Sequence, residues 1–317
     1  MAYFKRSPAW AQLLMFLGMS FGSFILVGMV GLIMLAKVTG FSLQYIQDAA
    51  NWDYDNPQTL VLVRGMVLIQ FIAFYIIPVF IFARLCDKEP TEFLGLRTSK
   101  IFYFLAGATV MIIALPFVDW TGAVNHKLIP ETSSMGKWMK EAEEAAAKQI
   151  GFMLKGKSVK DLLLNLLFVA TFAGVGEELF FRGVLQRLFI KMFRNPWAGI
   201  IVTALIFSAI HLQFYGFVPR FILGVLLGLI YWYSGSLWPA IFAHFAYDAL
   251  AVVLIYFDPS LAEKESVTVS MGNQLLMAAI SLGLIITIVF YMKKRSTTSY
   301  EAIYSRDKID DSNPFVS

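Results

Sequence analysis

The sequence has little charge and almost no cysteine. Only 15% of its 317 residues are charged, whereas 58% are hydrophobic, a balance far too apolar for a soluble globular protein. Its single cysteine, Cys86, excludes an intramolecular disulfide, and its place at the end of an apolar segment predicts a packing role. No alternation of polar and apolar residues is visible, so a β-barrel is not predicted. These observations indicate an all-α, polytopic membrane protein.

Apolar runs of about 20 residues, the length that crosses a hydrocarbon core of about 30 Å, recur along the chain. Lys5 and Arg6 precede the first run, which is longer than the core of a signal peptide and is therefore predicted to be retained. Pro78 predicts a kink in the second. The runs give eight predicted transmembrane helices, over about 12–36, 60–83, 101–118, 161–186, 197–212, 218–233, 237–257 and 274–292.

The net charge of +4 reflects membrane topology rather than nucleic-acid binding, because the basic residues cluster at the ends of the runs. The N-terminus, 84–100, 187–194 and the Lys293–Arg295 triplet are predicted to face the cytoplasm, with both termini inside. The acidic loops 48–55 and 258–265 are predicted to face outward. The expected location is the cell (inner or plasma) membrane.

The chain divides into three predicted regions. Residues 1–160 hold three spans and a polar insert, 119–160, whose stretch 137–150 favours a helix on the outer membrane surface. The apolar face of this helix is predicted to contain Trp138, Met139, Ala142, Ala146 and Ile150. A solvated loop helix is the alternative. Residues 161–295 hold five spans and the candidate site, and residues 296–317 form a polar cytoplasmic tail.

Three ionisable side chains lie within the fourth apolar run. Ionisable residues inside a membrane are costly and mark functional sites. Glu178 and Arg182 are four apart, which places them on one helix face in the favourable order for an ion pair. Glu177 is rotated by about 100° from Glu178. We therefore predict a supporting ion pair between Glu178 and Arg182, with Glu177 left to face other helices.

Two later runs each bring a histidine, His211 and His244, to a depth similar to that of Glu177. A carboxylate in apolar surroundings is a better proton acceptor near neutral pH, so Glu177 with His211 could deprotonate a water for attack on a peptide carbonyl. His244 and Asp248, four apart, could stabilise the resulting oxyanion. Alternatively, Glu177, His211 and His244 could hold a divalent metal such as zinc. The compact H-E-x-x-H zinc motif is absent, so metal-dependent and metal-free mechanisms both stay open.

Three motifs in this region resemble those of the CPBP family, the prenyl-protease-2-like and bacteriocin-processing (Abi) intramembrane proteases. They are EELFFR at 177–182, FSAIH at 207–211 and HFAYD at 244–248. The resemblance implies a glutamate-dependent endopeptidase in which Glu177 and His211 activate water. It places His244 and Asp248 at the oxyanion, and Glu178 and Arg182 in the scaffold. Related prenyl proteases have asparagine where this chain has Asp248, and some family members have been described as metalloproteases.

The expected partners are a peptide or protein substrate, lipidated or otherwise tethered to the membrane, and the bilayer itself. The expected site is embedded in the membrane and open to the cytoplasmic side. Two alternatives remain: a proton-coupled transporter with Glu177, His211 and His244 as a relay, and a non-catalytic immunity or scaffold protein. Asn165 and Arg220 are weaker candidates for cavity residues.

Overall fold

The computed structural model describes residues 4, 7–128, 133–262 and 271–304, and this part of the chain is helical without β-strands. The predicted all-α class is therefore confirmed. Lys5, Arg6, Glu263, Glu265 and most of the predicted tail lie outside the described residues.

The long helices follow the apolar runs closely. Short helices lie at Leu43–Gln47, Ala49–Asn51, Pro90–Phe93, Pro259–Ala262 and Tyr300–Tyr304. The main helices are α1 (Ala9–Thr39), α2 (Pro57–Cys86), α3 (Ile101–Ile113), α4 (Leu115–Leu128), α5 (Ser134–Leu154), α6 (Val159–Phe193), α7 (Pro196–Ala209), α8 (Phe217–Ser234), α9 (Trp238–Phe257) and α10 (Met271–Arg295).

Within the described residues, six helices are long and apolar enough to span a membrane: α1, α2, α6, α8, α9 and α10. The pair α3 and α4 makes a seventh span if the two helices cross together. The predicted fifth span, α7, has only 14 residues, or about 21 Å of helix, and is too short to cross alone. The protein is thus a multi-pass membrane protein, and α7 does not count among its candidate spans.

The third predicted span is broken. Helices α3 and α4 meet at about 40° around Ala114, because Pro116 lacks an amide hydrogen and disfavours helical geometry in the residue before it. The Ile113 carbonyl at the break accepts a hydrogen bond from the Ser281 hydroxyl of α10 (2.5 Å). Pro78 follows a π-helical turn at Phe71–Ile76 in α2, a local distortion at the place of the predicted kink.

Close helix packing occurs at two glycines of α8. A Cβ on Gly224 would lie 3.1 Å from the Cβ of Ala204 in α7, and Gly228 packs against Ile200 of the same helix. In contrast, a Cβ on Gly18 or Gly22 of α1 would meet nothing within 4 Å.

A helix forms at the predicted place, as α5, and its position on the membrane surface stays a prediction. Within the predicted apolar face, Trp138 and Ile150 are exposed, and the other three residues, Met139, Ala142 and Ala146, are half-buried. Gly136 and Met153 are buried, and Glu143 is half-buried. The Lys148 ammonium lies 4.5 Å from the Tyr54 ring centre, and the rings of Trp138 and Phe214 are 5.3 Å apart. Helix α5 therefore packs over the ends of other helices and buries a carboxyl group that the apolar pattern did not indicate.

Candidate active site

The site forms where α6 and α9 come close together. A Cβ on Gly174 of α6 would lie 3.1 Å from the Phe245 amide nitrogen and 3.3 Å from the Ile241 carbonyl oxygen of α9. Because glycine has no side chain, the two backbones can approach at this level. Glu177 and Glu178 follow one turn later and consequently reach His244.

Glu178 is the centre of a fully buried polar network. Its Oε1 accepts hydrogen bonds from Nη1 of Arg182 (2.7 Å) and from Nδ1 of His244 (2.8 Å), and neither Glu178 nor Arg182 exposes any side-chain surface. Nη2 of Arg182 also donates to the Gly224 carbonyl of α8 (2.9 Å). The predicted ion pair is present, and it also orients an imidazole, which spacing along one helix could not show.

Arg182 belongs to a π-helical segment, Leu179–Gln186, that begins directly after Glu178. Such segments often occur at functional sites. The guanidinium lies 4.7 Å from the ring centre of Phe207, the first residue of the FSAIH motif. Phe207 thus connects α7 to the ion pair.

Glu177 faces both histidines. Its Oε1 lies 4.0 Å from Nε2 of His211, and its Oε2 lies 4.0 Å from Nε2 of His244. These distances are too long for direct hydrogen bonds and suit groups bridged by one water. The Glu177 side chain is 15% exposed, in contrast to the fully buried Glu178. The two adjacent carboxylates therefore occupy different environments.

His211 lies just beyond the end of α7, in a turn. Its Nδ1 donates to the carbonyl of Phe207 (2.7 Å), which directs Nε2 toward Glu177. Leu212 has a φ of 54°, a left-handed conformation that costs a non-glycine residue about 1–2 kcal/mol. The predicted fifth span, 197–212, therefore ends before its histidine, and the chain turns back within the bundle.

Asp248 completes the cluster, one helical turn after His244. Its Oδ2 lies 3.4 Å from Nε2 of His244, so the ring lies between two carboxylates, Glu178 and Asp248. The structure thus brings together every predicted site residue: Glu177, Glu178, Arg182, His211, His244 and Asp248. Their catalytic roles stay predictions.

The proposed metal ligands do not converge in the manner of a metal site. Among the residues that the structure describes, no three His, Cys, Asp or Glu side chains surround a common point suited to a metal ion. The Glu177 oxygens are 4.0 Å from each Nε2 atom. The hydrogen bond of His244 to Glu178 uses Nδ1 and leaves Nε2 directed toward Glu177.

The site is closed toward the basic end of the bundle. Residues 178–190 of α6 are all buried, as are residues 226–233 of α8. In the other direction, residues 245–250 of α9 and 217–222 of α8 are all partly exposed. The site is therefore more open toward the turn after His211 than toward the end that carries Arg187 and Arg194. The opening to the cytoplasmic side depends on the orientation in the membrane and stays a prediction.

A cavity of about 980 Å³ lies at this open end, under α5. Its walls come from α4, α5, the 212–216 turn and the last turn of α9, and include Asp119, Glu143, Lys148 and Tyr215. Burial raises the pKa of the Glu143 carboxyl, an effect that nearby Arg220 partly offsets. The Glu177 cluster does not line the cavity, but Gly216 and Pro219 on its wall flank Arg220, which is close enough to influence Glu177 electrostatically.

A family model agrees with the three motifs. Residues 159–250 match the family described as type II CAAX prenyl endopeptidase Rce1-like. This segment is similar to that family. It runs from the start of α6 into α9 and contains all six residues of the cluster. The resemblance predicted from the three motifs is therefore confirmed over this part of the chain.

Two relatives match through segments of similar length. The "Uncharacterized protein YpbD" of Bacillus subtilis (strain 168) is 31% identical over 98 residues, 30% of this chain and 47% of that protein. The "Uncharacterized 24.3 kDa protein" of Escherichia coli is 28% identical over 101 residues, 31% of this chain and 46% of that protein. The chain thus spans about half the length of these curated relatives. No solved structure matches it significantly.

Proposed function

We propose that this protein is an intramembrane, glutamate-dependent endopeptidase. The observation that carries the proposal is the placement of one partly exposed carboxylate, Glu177, between the Nε2 atoms of two histidines from different helices. The match of residues 159–250 to a prenyl endopeptidase family supports the same activity.

In the proposed reaction, a water bound between Glu177 and His211 loses a proton to Glu177 and attacks the peptide carbonyl carbon. His244 lies beside the attacked carbonyl and, carrying a proton on Nε2, donates to the developing oxyanion. Collapse of the tetrahedral intermediate breaks the C–N bond, and the proton held by Glu177 passes to the leaving amine. The products are a new carboxyl group and a new amine.

Glu178 and Arg182 support this chemistry without touching the substrate. The hydrogen bond from His244 to Glu178 fixes the imidazole and leaves Nε2 directed toward Glu177 and Asp248. Arg182 balances the buried negative charge of Glu178.

Cleavage of membrane-tethered peptides by the purified protein in ¹⁸O-labelled water tests the proposal. We expect one ¹⁸O atom in each newly formed carboxyl group. Intact peptides combined with proton-coupled flux in reconstituted vesicles would instead establish the transporter alternative, for which Glu177 and the two histidines form a suitable relay.

Metal analysis tests the cofactor question. Metal-free protein that retains activity would support water activation by Glu177 and His211 alone. Stoichiometric zinc in the wild type that is lost in His211→Ala would instead establish a metal centre.

A further inference from the structure

Arg220 lies beside the wall of the cavity. It belongs to the first turn of α8, and Gly216 and Pro219 next to it form part of the cavity wall. A Cβ on Gly216 would lie 2.5 Å from Nη2 of Arg220, so the guanidinium lies directly against this wall. Glu177 and Glu143 both exert an electrostatic influence on the guanidinium.

The guanidinium is held in a fixed orientation. Nη1 donates to the main-chain carbonyl of Gln213 (3.0 Å), and Nη2 donates to the side-chain Oε1 of the same residue (2.6 Å). Gln213, in the turn after His211, therefore positions both terminal nitrogen atoms of the guanidinium. This pre-organisation reduces the entropy lost when the group binds a ligand.

Arg220 differs in its pairing from two other arginines of the membrane-spanning helices, Arg182 and Arg64. Arg182 lies 2.7 Å from Glu178, and Arg64 lies 3.9 Å from Asp161. Arg220 forms no ion pair with any carboxylate that the structure describes, since its hydrogen bonds go to Gln213. Glu143 and Glu177 act on it without a direct ion pair. A cation at membrane depth that lacks a paired carboxylate is costly, so a ligand that supplies the negative charge would be bound favourably.

The chemistry of the group indicates the ligand. A guanidinium pairs with carboxylates and phosphates through parallel N–H···O bonds. Of these two anions, the carboxylate is the one that an unmodified peptide substrate carries, at its C-terminus and on its acidic side chains. We propose that Arg220 binds a carboxylate of the peptide substrate and is a specificity-determining residue. The proposal rests on the endopeptidase function proposed above.

A matched set of tethered peptides tests this proposal with full-length protein. One peptide has a free C-terminal carboxylate, the second is its C-terminal amide, and the third is the amide with a glutamate near the end. Fluorescence anisotropy with the Glu177→Ala protein measures binding without turnover, and cleavage by the wild type gives kcat/KM. We expect the free acid to bind at least about tenfold more tightly than the amide. If the third peptide binds as tightly as the free acid, a side-chain carboxylate serves as well as the terminal carboxylate.

Substitution then connects the preference to Arg220. In the Glu177→Ala background, Arg220→Gln should remove the difference between acid and amide while the affinity for the amide stays the same, which also shows that the variant is folded. Arg220→Lys should retain part of the difference, because it keeps the charge but not the fork. Arg84→Gln, at an exposed arginine, should change nothing.

Equal affinity for acid and amide, or a preference that survives Arg220→Gln, would overturn the assignment even if the wild type cleaves both peptides. A carboxylate preference that depends on Arg220 without any cleavage would sustain the binding site and reject the endopeptidase function.

Discussion

Glu177 and Glu178 are adjacent in the chain but differ in their exposure and in their hydrogen bonds. Glu178 is fully buried and accepts hydrogen bonds from an arginine and a histidine. Glu177 retains some exposure and has only longer contacts, to two imidazole nitrogens. A rotation of about 100° per residue separates the two side chains. One carboxylate is therefore suited to structure and the other to chemistry.

Glu178→Gln tests the structural role. The change leaves Arg182 buried without its counter-ion and weakens the bond to His244, so we expect a loss of about 3–5 kcal/mol of stability. Thermal unfolding in detergent measures this effect. The matched double variant Glu178→Gln/Arg182→Met should recover part of the loss, and an unchanged melting temperature in Glu178→Gln would contradict the network.

Asp248 is predicted to act as a hydrogen-bonding neighbour of His244 at the oxyanion. Asp248 can donate to the oxyanion only when its carboxyl group is protonated, whereas an asparagine amide always has N–H donors. Asp248→Asn should therefore retain most of the activity. Asp248→Ala should lower kcat by about 10²–10³. Steady-state cleavage of one tethered peptide by both variants provides the comparison, and equal losses would exclude a donor role for this side chain.

At this scale the sequence was highly informative. The i, i+4 spacing indicated the contacts of Glu178 with Arg182 and of His244 with Asp248, since both partners lie on one helix. The bond between Glu178 and His244 joins residues 66 positions apart, and no local pattern contains it. The sequence indicated Arg220 only as a weak candidate for a cavity residue, because the cavity beside it is visible only in the folded structure.

Among the helices, the contact between α6 and α9 determines whether the site can form. Gly174→Ala would place a methyl group 3.1 Å from the backbone of α9, and backbone atoms cannot move aside as a flexible side chain can. We expect a lower melting temperature together with a lower kcat, because Glu177 and His244 move apart. Unfolding and cleavage are measured on the same preparation.

Gly22→Ala is the matched control, since a Cβ on Gly22 meets nothing within 4 Å. It should leave activity unchanged and should not lower stability, because alanine favours a helix by about 1 kcal/mol over glycine. If Gly174→Ala behaved in the same way, the close approach would not matter for the site.

Helix existence was predictable from apolar runs, whereas helix ends and breaks were not. The pattern of 197–212 reads as one apolar segment, yet α7 ends at Ala209 and the chain turns at Leu212. Hydrogen bonds from Ser208 to Phe217 and from Asn125 to Phe214 and Tyr215 support this turn. Such tertiary contacts override an apolar pattern that says nothing about where the helix must stop.

For the whole molecule, the orientation in the membrane decides which compartment the cavity faces. The basic ends are predicted to lie inside, which puts the α5 end and its cavity outside. In a Cys86→Ala background, a membrane-impermeant maleimide applied to intact cells should label Glu144→Cys but not Lys88→Cys, both exposed positions. The opposite labelling pattern would reverse the orientation and place the opening in the cytoplasm.

The packing of the whole bundle also explains why the direction of opening was not predictable. Hydropathy and charge describe each span separately. The burial of residues 178–190 and the partial exposure of residues 245–250 arise only when the helices assemble. The depth of the three catalytic candidates could be calculated from the helix rise, but not the side from which a substrate reaches them.

The most direct test of the account is the turnover of a tethered peptide by Glu177→Gln, measured with thermal unfolding on the same sample. Glutamine preserves the shape of the side chain and removes its ability to accept a proton from water. We expect kcat to fall by at least about 10³, with a melting temperature equal to that of the wild type. Turnover that remains at the wild-type rate in a folded Glu177→Gln protein would contradict it.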